Sequence, residues 1–473
     1  MKKMRRLMSL LSLILVFAVI GTALTYVVLV NQSGTRWMNR SVNSRIDSAR
    51  KTTIEGTVYD SAMTVLAESS VPGERHYISD KSARLALCHT IGDTEGQGAN
   101  GVETRQATIL LGLSDLTRTD YTLQKLMGNE PAGYDLVLTV NAELTKYIAS
   151  LFPKNSKGAC VIYNYKTGAI LAKLSLPSYD PAAVDPATDA DGSYYDRVLS
   201  YRYPPGSTFK IAVLASALQN LDGCAYEDFE CAGEWTISNN TIHCAGNTAH
   251  GEMTLQEAFA SSCNVTFATL AYRLGASTLK GTAEAFGCNR EFVFDDLVLQ
   301  PSHCLNGDLT SGEALQAGIG QGTTEITPLH MAMISGAIAN GGVMMEPKLI
   351  REVRKHGGAA VETMESEVYT TVCDEALATT IARYMYAVVQ SGTGTRAKIS
   401  GYTAGKICGK TGSAEWSSDK TADTHAWYTG FLYGDDAHPY AIAVIVENAG
   451  SGGSVAAPIA SKALAKCISM NLY

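Results

Sequence analysis

The sequence predicts a mixed α/β (α+β) fold: an antiparallel sheet covered by helices, behind a small N-terminal pedestal and one transmembrane helix. Three observations predict it. Leu7 to Val30 is an uncharged apolar run preceded by Lys2, Lys3, Arg5 and Arg6, and about 20 such residues cross a bilayer. Apolar residues at helical spacing fill the middle of the chain, most densely from Ser207 to about Leu221. Strand-like runs come late, at His425–Tyr433 and Tyr440–Glu447, with helices before and between, as when one sheet carries helices on its faces.

The bulk properties narrow the class. A chain of 473 residues holds two or three domains, and 18% charged residues fit a folded body. The net charge of −8 leaves no basic face for nucleic acid. Positive charges stay inside, so residues 1–6 are expected in the cytoplasm, 7–30 in the membrane and the body after Asn31 outside the cell. A cleaved signal peptide is the competing reading, but its apolar region is shorter and Gly21-Thr22-Ala23 is a weak cleavage site. Eleven cysteines leave at least one thiol unpaired, and no C-x-x-C occurs. Cys231 and Cys244 flank a polar segment and pair in an oxidising exterior, or remain plain buried thiols in reducing surroundings. His243, beside Cys244, and His250 lie near them, but the spacing is poor for structural zinc; no metal and no cofactor is expected.

In chain order, 31–133 is polar and punctuated, the expected non-catalytic pedestal. Ile54–Asp60 and Thr64–Ala67 read there as strand, turn and strand. Asp135–Asn141 is a strand running into a helix that begins near Asn141. Ala159–Tyr165 and Ala169–Leu174 form a hairpin around Lys166-Thr167-Gly168, where glycine supplies positive φ. Tyr179–Tyr195 is a surface loop. Pro204 and Pro205 then bias the chain toward extended backbone, and Gly206 permits a tight entry into the helix from Ser207. Ile211, Leu214, Ala215, Leu218 and Leu221 share one helical face, so this helix is buried. Cys224–Gly251 is a polar loop on the rim of a cleft. Thr254 and Glu257 make a capping box, placing Ser262-Cys263-Asn264 at a helix end or interhelical turn. Thr327-Pro328 starts a helix that Asn340-Gly341-Gly342 ends, and a last helix begins near Pro458.

Ser207 at a helix start, with Lys210 one turn on along the same side, suits nucleophilic catalysis. A serine hydroxyl needs a base, and a lysine serves when burial or another cation lowers its pKa. The plain alternative is a serine cap beside a solvated lysine, because S-x-x-K is common. Two further motifs decide between them: Ser262-x-Asn264, and Lys410-Thr411-Gly412-Ser413 leading into the late strands. This ordered trio is the set of penicillin-binding proteins and class A β-lactamases. Within Pro-Pro-Gly-Ser-Thr-Phe-Lys and Gly-Lys-Thr-Gly-Ser-Ala-Glu, the chain resembles a class B penicillin-binding protein of the short Gram-positive type, from Tyr134 to its C-terminus. Near the membrane the match is partial, with Glu55 in place of the family's arginine.

The resemblance implies the penicillin-recognising serine transpeptidase fold over 134–473 and acyl transfer on peptidoglycan stem peptides, with β-lactams as inhibitors. Ser207 is the implied nucleophile and Lys210 its base. Ser262 relays a proton, Asn264 orients Lys210, and Lys410 supplies a second positive charge. Thr411, Gly412 and Ser413 bind the substrate's terminal carboxylate, and backbone N–H groups of Ser207 and Ser413 form the oxyanion hole. A multi-spanning glycan polymerase is the implied partner, because the pedestal is too short for a glycosyltransferase domain. A β-lactamase, a D,D-carboxypeptidase, and a β-lactam-acylated sensor or division scaffold are the rival readings. Division, elongation and sporulation roles all stay open.

Overall fold

The chain is described by a computed structural model covering 44–472 except 238–239, 308–309 and 417–422, together with Met8, 11–22 and Thr25. The expected cytoplasmic residues 1–6 and much of the expected membrane span lie outside the described residues. Among those described, no helix is long and apolar enough to cross a membrane.

Five antiparallel strands form the central sheet, in the order Lys406–Ala414, His425–Tyr433, Tyr440–Val446, Gly158–Asn164 and Ile170–Leu176. An early hairpin thus completes a sheet begun by the end of the chain. Its central strands Gly158–Asn164 and Tyr440–Val446 are buried at every residue. Alternate side chains still go to opposite faces. Val161, Tyr163, Ala443 and Ile445 share a core with helix Pro328–Ala339, while Cys160, Ile162, Ile442 and Val444 pack with helix Ala456–Met470. Both faces are apolar, so the period of two is hidden in the sequence.

Local punctuation behaves as its chemistry dictates. Asn141 caps Ala142–Leu151, accepting the Leu144 N–H at 3.0 Å. Thr254 and Glu257 form the capping box of Leu255–Ala260, and Pro328 opens its helix. The Lys166-Thr167-Gly168 turn has Gly168 at φ 85°, with the Asn164 side chain accepting both the Lys166 and Thr167 N–H groups.

A second, six-stranded sheet runs Ala360–Thr363, Ile350–Arg354, Asp135–Leu138, Val58–Tyr59, Val65–Glu68 and His76–Tyr77. The strand-turn-strand expected near the start is there, with Val58 opposite Ala67. This sheet continues past residue 133. Asp135–Leu138 pairs parallel to Val58–Tyr59, and Ile350–Arg354 joins its other edge. Val58, Leu66, Leu136 and Leu138 belong to the same apolar cluster as Val161 and Ile211. The ladder and core continue across the sequence boundary, because a two-residue strand cannot stand alone.

Candidate active site

Ser207 does not lie in the α-helix itself. Gly206–Phe209 forms one 3-10 turn, and the α-helix runs Lys210–Asn220. Gly206 has φ 53°, and a Cβ there would come within 3.0 Å of the Ser413 carbonyl oxygen. Its N–H donates to Gly320 O at 3.0 Å, and a Cβ on Gly320 would overlap that turn. The glycines at 318–322 therefore do more than punctuate a helix: Gly320 seats the nucleophile turn. The Trp427 indole N–H fixes the approach by donating to Pro204 O at 3.0 Å.

The following helix is buried almost all round, so Lys210 is fully buried. Its Nζ donates to Asn264 Oδ1 at 2.7 Å, Ser262 O at 2.8 Å and Ser262 Oγ at 3.3 Å. Ser262 occupies the interhelical turn expected of it, between Leu255–Ala260 and Asn264–Ala285, at φ 61°. A left-handed conformation costs a residue with a Cβ roughly 1–2 kcal/mol, and such strain gathers at functional sites. The Asn264 amide donates to His243 O at 2.8 Å, so the polar segment after Cys224 does reach the site.

Lys410 enters from the other side, on strand Lys406–Ala414 opposite Thr429. Its Nζ donates to Ser262 Oγ at 2.9 Å and Thr411 O at 3.0 Å. One serine hydroxyl thus joins two buried amines. Each ammonium position lies over an aromatic face, Lys210 on Phe267 at 5.4 Å and Lys410 on Phe259 at 5.6 Å, which offsets part of the cost of burying charge. Burial still leads, holding Lys210 down to about 7. Lys410 is pushed far below the usual lysine range, by burial first and then by the Lys210 charge. Like charges repel mutually, but desolvation is the larger cause for both.

Gly412 lies against the nucleophile turn: a Cβ there would stand 2.8 Å from Pro205 O. The Ser413 hydroxyl accepts the Gly452 N–H at 3.4 Å. The site thus gathers the 3-10 turn, the interhelical turn and the edge strand of the central sheet.

Residues 158–465 match the family model for the penicillin binding protein transpeptidase domain. The chain belongs to that family. It is 30% identical over 402 residues to peptidoglycan D,D-transpeptidase PbpA of Mycolicibacterium smegmatis, covering 79% of this chain and 80% of the relative. Peptidoglycan D,D-transpeptidase MrdA of Haemophilus influenzae is 28% identical over 437 residues, 83% of this chain and 65% of the relative. Among solved structures, the ceftriaxone acyl-enzyme complex of penicillin-binding protein A from M. tuberculosis superposes with a TM-score of 0.79. It is 26% identical, and the alignment covers 89% of this chain and 99% of that one.

Within this penicillin-binding protein, all eight residues singled out from the sequence lie on those three elements or, for Lys210 and Asn264, at the first position of the helix that follows. Thr393 was not among them. Its hydroxyl shares a 2.6 Å hydrogen bond with Thr411 Oγ1, and its N–H donates to Ala260 O at 3.1 Å. It belongs to Ser391-Gly392-Thr393-Gly394-Thr395, directly after helix Glu375–Gln390. Two glycines around a threonine read as an ordinary helix stop, and only the fold sets them beside the strand. The disulfide alternative is not formed: Cys231 and Cys244 are separate thiols with Sγ atoms 3.5 Å apart.

Proposed function

We propose that this protein is a peptidoglycan D,D-transpeptidase that works through an acyl-enzyme on Ser207. The observation that carries the reading is the Ser262 hydroxyl held between two fully buried lysine amines beside that serine.

A neutral lysine has two N–H donors and one lone pair. The shorter bonds of Lys210, to Asn264 Oδ1 and Ser262 O, use the two donors, leaving the lone pair for a hydroxyl. With its pKa held near 7, Lys210 takes the Ser207 proton as the oxygen attacks the carbonyl between two D-alanines. The N–H groups of Ser207 and Ser413 receive the oxyanion, each such donor worth about 3 kcal/mol. Ser262, bonded to both amines, relays the proton to the departing D-alanine nitrogen. Lys410, Thr411 and Ser413 hold the substrate's terminal carboxylate, whose charge restores the proton that burial disfavours on Lys410. D-alanine leaves, the amine of a second stem peptide attacks the ester, and Ser207 regains its proton as the cross-link forms. A β-lactam acylates the same serine.

The basic residues before Leu7–Val30 support a single membrane anchor with the body outside the cell, working beside a multi-spanning glycan polymerase. A fluorescent penicillin followed through deacylation tests the enzymatic reading. Stable labelling of Ser207 is expected; rapid turnover would mark a β-lactamase, and no labelling a scaffold.

A further inference from the structure

Between Ser262 and Asn264 stands Cys263, a buried residue to which the reaction gives no part. Its Sγ lies 3.7 Å from Cys244 Sγ, which lies 3.5 Å from Cys231 Sγ, which lies 3.4 Å from His250 Nδ1. All four donor atoms fall within 4.8 Å of one another, the thiols buried and the imidazole half-buried. We propose that Cys231, Cys244, Cys263 and His250 bind one zinc ion, in a Cys3His site that fastens the cleft rim to the Ser262–Asn264 turn.

The geometry is close to that of a tetrahedral site. Zinc takes thiolate sulfur at about 2.3 Å and imidazole nitrogen at about 2.0–2.1 Å in a tetrahedron, which sets neighbouring donors roughly 3.5–3.8 Å apart. The separations of 3.4, 3.5 and 3.7 Å lie close to that spacing, and the other three are within 4.8 Å, so binding draws the donors together only slightly. The four residues also arrive by separate local routes. Cys231 ends strand Asp228–Cys231 and pairs with Gly251, so His250, just ahead of the neighbouring strand Gly251–Thr254, is brought alongside. Cys244 follows strand Asn240–His243, and Cys263 caps helix Asn264–Ala285. Hydrophobic packing asks only for small apolar side chains here; it does not ask for three thiols and an imidazole in mutual reach.

The surroundings suit thiolates as well. The Gly233 N–H donates to Cys231 Sγ at 3.4 Å, the Thr266 N–H to Cys263 Sγ at 3.4 Å, and the Thr266 hydroxyl to the same sulfur at 3.3 Å. Such outer donors orient and stabilise metal-bound sulfur. Soft sulfur with one imidazole selects zinc over hard cations, and four protein ligands close the site to substrate. Each thiol surrenders its proton on binding, so one Zn2+ enters as three protons leave, and the filled site has a net charge of −1.

The sequence spacing argued against a metal because only Cys231, Cys244 and the nearby histidines were in view. The remaining ligand is the middle residue of a catalytic motif, contributed by a different element. This placement gives the site its role. Asn264, next to Cys263, donates to the carbonyl of His243, next to Cys244, and accepts from Lys210. Zinc therefore holds both ends of the contact that positions Lys210. The strand pair Glu234–Ile237 and Asn240–His243 is a two-stranded ribbon held through Ile242 against Ala268 and Leu315, and the metal adds a second attachment at its end.

The test needs no activity. Full-length protein purified in detergent, under reducing and chelator-free conditions, should contain about one zinc per chain, with a zinc-edge absorption spectrum of three sulfurs and one nitrogen. Cys231→Ser and Cys263→Ser should each lose most of it, whereas Cys467→Ala, in the buried face of the C-terminal helix, should keep it. If those variants misfold, the unmodified chain decides. Stripping with a chelator should slow acylation by a fluorescent penicillin about tenfold or more, and zinc alone should restore it. A chain that is metal-free and takes up no added zinc overturns the proposal, as does zinc retained in a Cys231→Ser/Cys263→Ser chain. Unchanged acylation after the zinc has gone refutes the positioning role.

Discussion

Lys166-Thr167-Gly168 and Lys410-Thr411-Gly412 are the same three residues in two unlike places. The first turns a hairpin: Lys166 is exposed, Gly168 has a positive φ, and the Asn164 side chain satisfies the turn. In the second, the backbone is a strand on the edge of the central sheet. Lys410 is fully buried there, bonded to Ser262, and Gly412 is pressed against Pro205 O. Both glycines permit a close approach, Gly168 to Glu346 O and Gly412 to Pro205 O, but only the first also needs a positive φ. The lysine is exposed in one, while in the other burial shifts its proton affinity far down. Identical side chains acquire chemistry only from what surrounds them.

That contrast can be sharpened by changing partners of the buried triplet in turn. The largest effect belongs to Ser207→Ala, which should abolish labelling by penicillin outright. Lys210→Arg keeps the charge but cannot act as a base near neutral pH, so acylation should fall by about two to four orders of magnitude. In the unaltered enzyme the base is Lys210 in its neutral form. The acylation rate should therefore climb as pH rises through about 7 and level off above it; a rate that falls over that range would remove Lys210 from the role. Thr393→Val deletes the bond to Thr411 Oγ1, worth about 1 kcal/mol, and should slow acylation roughly fivefold. Smallest of all, Lys166→Ala should move the denaturation midpoint by no more than about 0.5 kcal/mol of stability.

Much of this was legible in the sequence, for identifiable reasons. The helix behind Ser207, the capping box at Thr254 and the hairpin around Lys166 are local, and local chemistry writes them. The eight candidate site residues could be singled out because short motifs carry their chemistry with them, and the fold brings them together. What escaped was long-range. The ladder of Asp135–Leu138 with both Val58–Tyr59 and Ile350–Arg354 depends on pairing between segments far apart in the chain, which no local pattern announces. Gly320 and Thr393 looked like punctuation, since nothing nearby in sequence says which backbone or hydroxyl they will meet. The charge of Lys410 was expected, beside burial, to help keep Lys210 neutral. Burial outranks it, and burial is a property of the whole fold.

The most direct test of the central claim compares the two triplets in one assay. Second-order acylation rates with a fluorescent penicillin should be measured for Lys166→Ala and Lys410→Ala, each shown to be folded by its thermal transition. Lys166→Ala should acylate at nearly the unaltered rate. Lys410→Ala, which leaves the ligand carboxylate without its cation and Ser262 with one amine, should be slower by about two orders of magnitude or more. Loss of acylation in a folded Lys166→Ala protein, with Lys410→Ala still active, would contradict the site described here.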